Sequence, residues 1–302
     1  MVTAAAVGNK IENKEHLVVK KRSQLSAIWF RFRKNKLALI GLTLLVSMIT
    51  VAIFADVIAN YEEKAITMNI RERLQPPSAQ HIFGTDHVGR DLFARIIHGA
   101  RISISLGILT ICISVTVGAI IGAVSGYYGG KLDNVLMRIM DVIIAVPNIL
   151  MAISIVAALG PGLINLLIAM SVAMVPNFAR VVRASIMSIL GLEFIEAAKA
   201  CGTRDRRIIF RHIIPNAIGP IIVQATLSMA NTILAISALS FVGLGIEPPI
   251  PEWGSMLSEG RIQMRNFPYL VVIPGLAIMC AVMALNLIGD GLRDALDPKL
   301  KN

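Results

Sequence analysis

From Val142 to Ala179 the chain runs for 38 residues without an Asp, Glu, Lys or Arg. A hydrocarbon core of about 30 Å is crossed by about 20 helical residues at 1.5 Å each. The run is too long for one crossing, and Gly160-Pro161-Gly162 divides it. Ile102–Gly130, Ile213–Ile246 and Asn266–Gly289 are equally free of charge, and Leu37–Ala59 carries only Asp56 near its end. A central Lys, Arg or Asp costs roughly 2.5 to 3.5 kcal/mol on insertion, so uninterrupted runs of this length belong in lipid. The whole chain agrees: 16% of its 302 residues are charged, against about 25% in a soluble domain. The pattern predicts an all-α integral membrane protein with six transmembrane helices near 37–59, 102–125, 135–158, 163–184, 217–240 and 268–289. Around them stand a polar N-terminal segment 1–36, a connecting segment 60–101, a five-helix core 102–290 and a tail 291–302.

Lys and Arg set the orientation. With the N-terminus inside, 21 of the 29 fall in cytoplasmic segments: nine from Lys10 to Lys36, then Lys131 and Arg138, seven from Arg180 to Arg211, and three in the tail. This asymmetry predicts cytoplasmic N- and C-termini. It also assigns the net charge of +10 to topology and the membrane surface rather than to nucleic acid. The apolar stretch 37–59 exceeds the core of a cleaved signal peptide and reads as a retained span.

Several chemistries find no support. The sequence has no GxxxxGK[ST] phosphate loop, no HExxH and no GxSxG. Its three cysteines (Cys112, Cys201, Cys280) form no CxxC pair, and its five histidines lie outside the expected spans. An intramembrane hydrolase therefore lacks a nucleophile and a base. An ion-coupled secondary transporter would need ionisable groups near the midplane. The only candidates are Arg138 and Asp141, spaced i, i+3 near the end of the third span. They form either a local ion pair anchoring the helix end or part of the gate of a pathway. A transporter so equipped needs its energy from a partner.

The loop 185–216 is the most informative segment. Leu192 to Cys201 favours a helix, with Ala197, Ala198 and Ala200 small enough for close contact. Gly202 stands where a left-handed C-terminal cap belongs. Thr203 or Asp205 can start a second helix, expected to run through Arg211 and to stop before Pro215, a suitable first residue for the fifth span. Such an elbow would pass a force from the first short helix to the fifth span without a slack linker. The small-residue face suits a groove on another protein, or the helix lies on lipid.

Glu196-Ala197-Ala198, Gly202 and the closing Pro215 together resemble the EAA loop of ABC-type importer permeases. The family pattern ends I-x-L-P where this chain has His212-Ile213-Ile214-Pro215; His212 departs from it, but Arg-His-Ile-x-Pro-Asn resembles the peptide-importer branch. Three further stretches are similar to the C-type dipeptide/oligopeptide/nickel permeases: Phe83 to Asp91 (FGTDHVGRD), Leu239 to Gly245 with Pro251-Glu252-Trp253-Gly254, and Asn286 to Asp294 (NLIGDGLRD). Their order and spacing extend over residues 80–298.

The resemblance implies a type I ABC importer permease fold in a bacterial or archaeal cell (inner) membrane. The chain would be a non-catalytic subunit that binds no cofactor, with ATP and Mg bound by two partner ABC ATPase subunits. A homologous second permease and an extracytoplasmic substrate-binding protein would complete the assembly. The cargo would be di- or oligopeptides, with glutathione or nickel complexes as alternatives. The short helix becomes the coupling helix, with Glu196, Ala197 and Ala198 as contacts, Gly202 as elbow and Pro215 as the return to the membrane. Asp141, Asn231 and Trp253 are candidates for the pathway or its gate, Trp253 alternatively serving as an interfacial anchor. In the first connecting segment, Asp86 or Asp91 either pairs with Arg90 or Arg95 or meets the delivery protein.

Overall fold

The computed structural model describes residues 24–296. The basic residues from Lys10 to Arg22, and Lys299 and Lys301 of the tail, lie outside the described residues. Among the described residues the regular structure is helical, and the only β pairing is an isolated bridge between Thr85 and Asp91.

α1 (Gln24–Phe32) leads to α2 (Lys36–Ile53), whose N-cap Asn35 accepts hydrogen bonds from the Leu37 and Ala38 amides. The expected first span is broken near its end: Phe54 is a joint, and α3 (Ala55–Ile58) is a separate turn. Asp56 there meets Arg101 at 2.9 Å, which explains how the one charge of that apolar run is accommodated.

α4 (Leu92–Tyr128) has 37 residues, roughly 55 Å at 1.5 Å per residue, and so projects well beyond any hydrocarbon slab. Asp91 caps it by accepting from the Ala94 amide. α7 (Leu163–Leu190), α10 (Ile214–Phe241) and α12 (Tyr269–Leu296) complete the single helices long and apolar enough to cross a membrane. The third expected span, 135–158, is present as a bent pair rather than one continuous helix. It consists of α5 (Gly130–Ile144) and α6 (Asn148–Leu159), bent by 83° at the intervening break. Pro147 explains the bend, because proline lacks an amide donor and forces the residue before it out of helical geometry.

α4 and α7 are the most extensively packed pair. Gly118 and Gly122 on α4 lie against the α7 backbone; a Cβ built on Gly122 would stand 2.4 Å from the Ala179 carbonyl oxygen. Small residues at four-residue spacing permit this approach without a hydrophobic drive between helices in lipid. The central core joins α4, α6, α7 and α10 through Leu106, Val156, Leu166, Phe178 and Ile236, while α2 and α1 pack on α12. Met170 and Met174 are part of this core.

Short helices sit at opposite ends of the bundle. α8 (Glu193–Ala200) and α9 (Asp205–Ile208) lie between α7 and α10, and α11 (Trp253–Gly260) lies between α10 and α12.

Candidate functional site: the elbow between α7 and α10

α7 ends at Leu190, and α8 begins at Glu193 after only Gly191 and Leu192. α8 is seated by the fully buried Ile195, which packs with Ile208, Ile213, Val182 and Ile186. The same cluster takes in Ala198, which is partly buried. Glu196, Ala197 and Ala200 face outward. The structure therefore separates the motif positions: Glu196 and Ala197 are presented, whereas Ala198 lies against the loop's own small core.

The C-terminus of α8 closes as the sequence leads one to expect. Gly202 adopts φ +69°. Its amide donates to the Lys199 carbonyl at 2.9 Å, and the Thr203 amide donates to the Ala198 carbonyl at 3.1 Å. This pair of bonds is the Schellman arrangement, which needs a left-handed residue at the position of Gly202.

The second helix departs from the expectation, because it does not stop before Pro215. From Asp205 it passes through a wider π-type turn, Ile209–Ile213, directly into α10, forming one 37-residue rod to Phe241. Pro215 occupies the first turn of α10, and the wide turn just before it gives room where a tight helix would clash with the ring. The Asp205 carboxylate does not cap its helix; it accepts a hydrogen bond of 2.6 Å from the Tyr127 hydroxyl. Lys199 lies over the Tyr127 ring at 5.8 Å. The end of α4 thus pins the elbow, a role sequence reading missed because Tyr127 and Asp205 are far apart in the chain.

α7 also carries Arg180 and Arg183, one turn apart. Arg183 donates through Nε and Nη2 to the two Asp133 oxygens, 2.6 Å each, and Ser125 donates to the same carboxylate. Arg180 donates to Asp141 at 2.5 Å. Asp141 therefore pairs across to α7, not with Arg138 as the i, i+3 spacing suggested. These groups line an open concavity of about 970 Å³ between α5 and α7, which Arg138 also faces.

Asn231 is exposed on α10, two turns from Gln224 on the same face. The Asn165 amide donates to the Leu159 and Gly160 carbonyls and closes the α6–α7 turn.

The other end of the bundle is built differently. Arg90 donates through Nε to Asp86 at 2.6 Å and through Nη2 to Glu259. Arg95 donates to both Glu259 oxygens at 3.2 Å and stands 3.3 Å from Asp86. Both guanidinium groups are 1% exposed. The pairing expected of Asp86 with Arg90 or Arg95 is present, and Glu259 is the partner sequence reading missed. Asp86 also accepts from the Val88 and Arg90 amides. Glu252 caps α11 by accepting from the Gly254 and Ser255 amides at 2.8 Å, and burial pushes its carboxyl above the usual range despite those donors. Trp253 is 1% exposed, with its indole nitrogen donating to the Ile96 carbonyl and its ring against Gly99. The interfacial-anchor expectation is corrected: Trp253 fills the seam between α4 and α11.

Residues 114–302, which include the whole elbow, match the family of binding-protein-dependent transport system inner membrane components. The chain belongs to that family. Residues 23–77 match the N-terminal TM domain of oligopeptide transport permease C. The chain is 49% identical over 274 residues to the dipeptide transport system permease protein DppC of Alkalihalophilus pseudofirmus, spanning 90% of this chain and 89% of that one. It is 42% identical over 286 residues to the di/tripeptide transport system permease protein DppC of Pseudomonas aeruginosa, covering 93% and 94%. The glutathione transport system permease protein GsiD of Escherichia coli matches at 42% over 280 residues, covering 93% and 92%. Among solved structures, an inward-facing MetNI methionine ABC transporter aligns with TM-score 0.56 at 16% identity, over 67% of this chain and 97% of that one. That likeness establishes the fold. The family member described here is a multi-pass inner-membrane permease with the ABC importer fold.

Proposed function

We propose that this permease forms half of the translocation pathway of an ATP-driven importer for di- and oligopeptides. In this reading the α8 end, and with it both termini, is cytoplasmic. α8 sits in a cleft of an ABC ATPase subunit and presents Glu196 and Ala197. Ala198 helps seat the helix, Gly202 forms the elbow, and Pro215, in the first turn of α10, marks the return to the membrane within the rod that carries the motion. A second, homologous permease supplies the other half of the pathway, and an extracytoplasmic binding protein delivers the peptide at the α11 end. Two partner ATPases bind ATP and Mg; this chain binds neither and performs no chemistry.

The observation that carries the reading is the unbroken helical path from Asp205 to Phe241, joined to α8 by only the capped turn at Gly202. Motion of α8 therefore has little slack before it reaches a membrane span. Asp141 and Asn231 are carried forward as pathway groups, because both are exposed. Trp253 is not, because the seam between α4 and α11 covers it.

Peptide cargo is favoured by the names of the two dipeptide relatives, and glutathione, itself a peptide, by the third. The test is uptake of a radiolabelled dipeptide into proteoliposomes holding this permease with its gene-cluster partners. ATP-dependent accumulation that unlabelled di- and tripeptides compete away is the expected result. Competition by glutathione alone would move the cargo to glutathione. Uptake driven by an ion gradient without ATP would overturn the reading.

A further inference from the structure

The elbow carries a group of side chains that coupling leaves unused. Arg204, Arg206, Arg207 and Arg211 line one open concavity of about 590 Å³, with Phe210 as its only other wall. All five are exposed, Phe210 to 64%. Among the described residues none of the four guanidinium groups meets a carboxylate. The nearest acid in sequence, Asp205, is engaged by the Tyr127 hydroxyl. Four cations sharing a hollow repel one another, so the arrangement calls for an anion.

We propose that this hollow binds the phosphate of an anionic phospholipid, with Phe210 against the glycerol and upper acyl region. Two observations favour lipid over an acidic protein surface. First, the segment is continuous with α10, and Arg211 stands six residues before Ala217, where the fifth span is expected to begin; that is about 9 Å at 1.5 Å per residue, within reach of long basic side chains that extend toward phosphate. Second, an exposed aromatic ring among the cations is the pairing a lipid presents, apolar and anionic within a few ångströms, and aromatic rings concentrate at that depth. The proposal does not depend on the identity of the cargo or of the ATPase. Its consequence is that anionic lipid would steady the segment joining α8 to α10.

The test uses the full chain in nanodiscs of phosphatidylcholine containing one-fifth phosphatidylglycerol, with retained lipid counted by native mass spectrometry after mild detergent extraction. The wild type is expected to hold phosphatidylglycerol at several times its bulk ratio. The R206Q/R207Q/R211Q triple variant is expected to lose that enrichment and return to the bulk ratio, since each basic group near an anionic surface counts for roughly a fivefold factor and three such factors exceed the enrichment itself. Ten millimolar inorganic phosphate is expected to leave the enrichment unchanged; its loss would mean a free-phosphate site and overturn the lipid assignment. A photoactivatable phosphatidylglycerol on the unmodified protein removes dependence on the variant's folding. Labelling of the peptide containing Phe210 and Arg211 is expected, and labelling confined to other segments would overturn the proposal. So would equal enrichment in wild type and variant, or loss of ATPase co-purification in the variant with lipid retention unchanged.

Discussion

At the α11 end, Arg90 and Arg95 are 1% exposed and each meets Asp86 and Glu259. At the α8 end, Arg204, Arg206, Arg207 and Arg211 stand exposed in a shared hollow. Buried charge is tolerated only when it is paired and hydrogen-bonded, and the α11 end meets that condition with groups of its own. The same end is sealed by the α11 cap at Glu252, the Trp253 wedge and Tyr269, whose hydroxyl lies 2.9 Å from the Gln75 carbonyl and 3.1 Å from that of Thr85. The elbow at the α8 end is held by the buried Ile195, Ile208 and Ile213, a capped turn and a tyrosine–aspartate bond. The arginines of one end are paired with carboxylates of this chain; those of the other stand open.

The contrast is broken most severely by removing a carboxylate that pairs the two buried guanidinium groups. Glu259→Ala leaves two buried guanidinium groups sharing Asp86, and a loss of about 3 to 5 kcal/mol is expected, read as a large drop in detergent-solubilised melting temperature. Arg207→Gln at the opposite end is expected to change stability by less than about 0.5 kcal/mol. Equal losses from the two substitutions would erase the distinction between the ends.

Next in size is Gly122→Ala, whose added Cβ would stand 2.4 Å from the Ala179 carbonyl oxygen. Overpacking of this kind costs about 1 to 3 kcal/mol, and the same melting assay reads it.

Gly202 gives a sharper probe. A Cβ there meets nothing within 4 Å, but φ is +69°, so Gly202→Ala is penalised by backbone strain alone, by roughly 1 to 2 kcal/mol. Gly202→Asn is expected to recover most of that, since Asn tolerates the left-handed region. The measurement is the ratio of peptide transported to ATP hydrolysed by the reconstituted transporter. If Ala and Asn variants behave alike, strain at the elbow is not what matters.

The smallest effect is expected of Tyr127→Phe, which removes one hydrogen bond to Asp205. A loss of about 0.5 to 1.5 kcal/mol should appear as faster amide exchange over residues 205–213, with little change in global melting.

The spans were readable because lipid imposes a single rule on them: a charge-free run must be helical and long. That rule sees charge and not backbone, so it passes over Pro147 and reads two helices bent by 83° as one continuous helix. The Gly202 cap was readable because a left-handed helix end is a local requirement met by one residue type. Arg90–Glu259 and Tyr127–Asp205 were not readable, because each joins residues brought together only by the packing of separate helices. Asp141 shows the same limit: its i, i+3 neighbour Arg138 was the obvious partner, yet the α5–α7 contact delivers Arg180 instead. Trp253 misled for a related reason, since the residue type that favours a lipid interface also fills a seam between helices.

The central claim is that α8 rests in an ATPase partner. It is tested most directly by placing a cysteine at Ala197, in a Cys201→Ser background, and cross-linking the assembled transporter with a short thiol reagent against cysteines lining the ATPase cleft. A cross-link to the ATPase subunit in good yield, changing between nucleotide-free and ATP-bound states, is the expected result. Modification of Ala197→Cys by lipid-phase reagents alone, with no ATPase adduct in either state, would contradict the account.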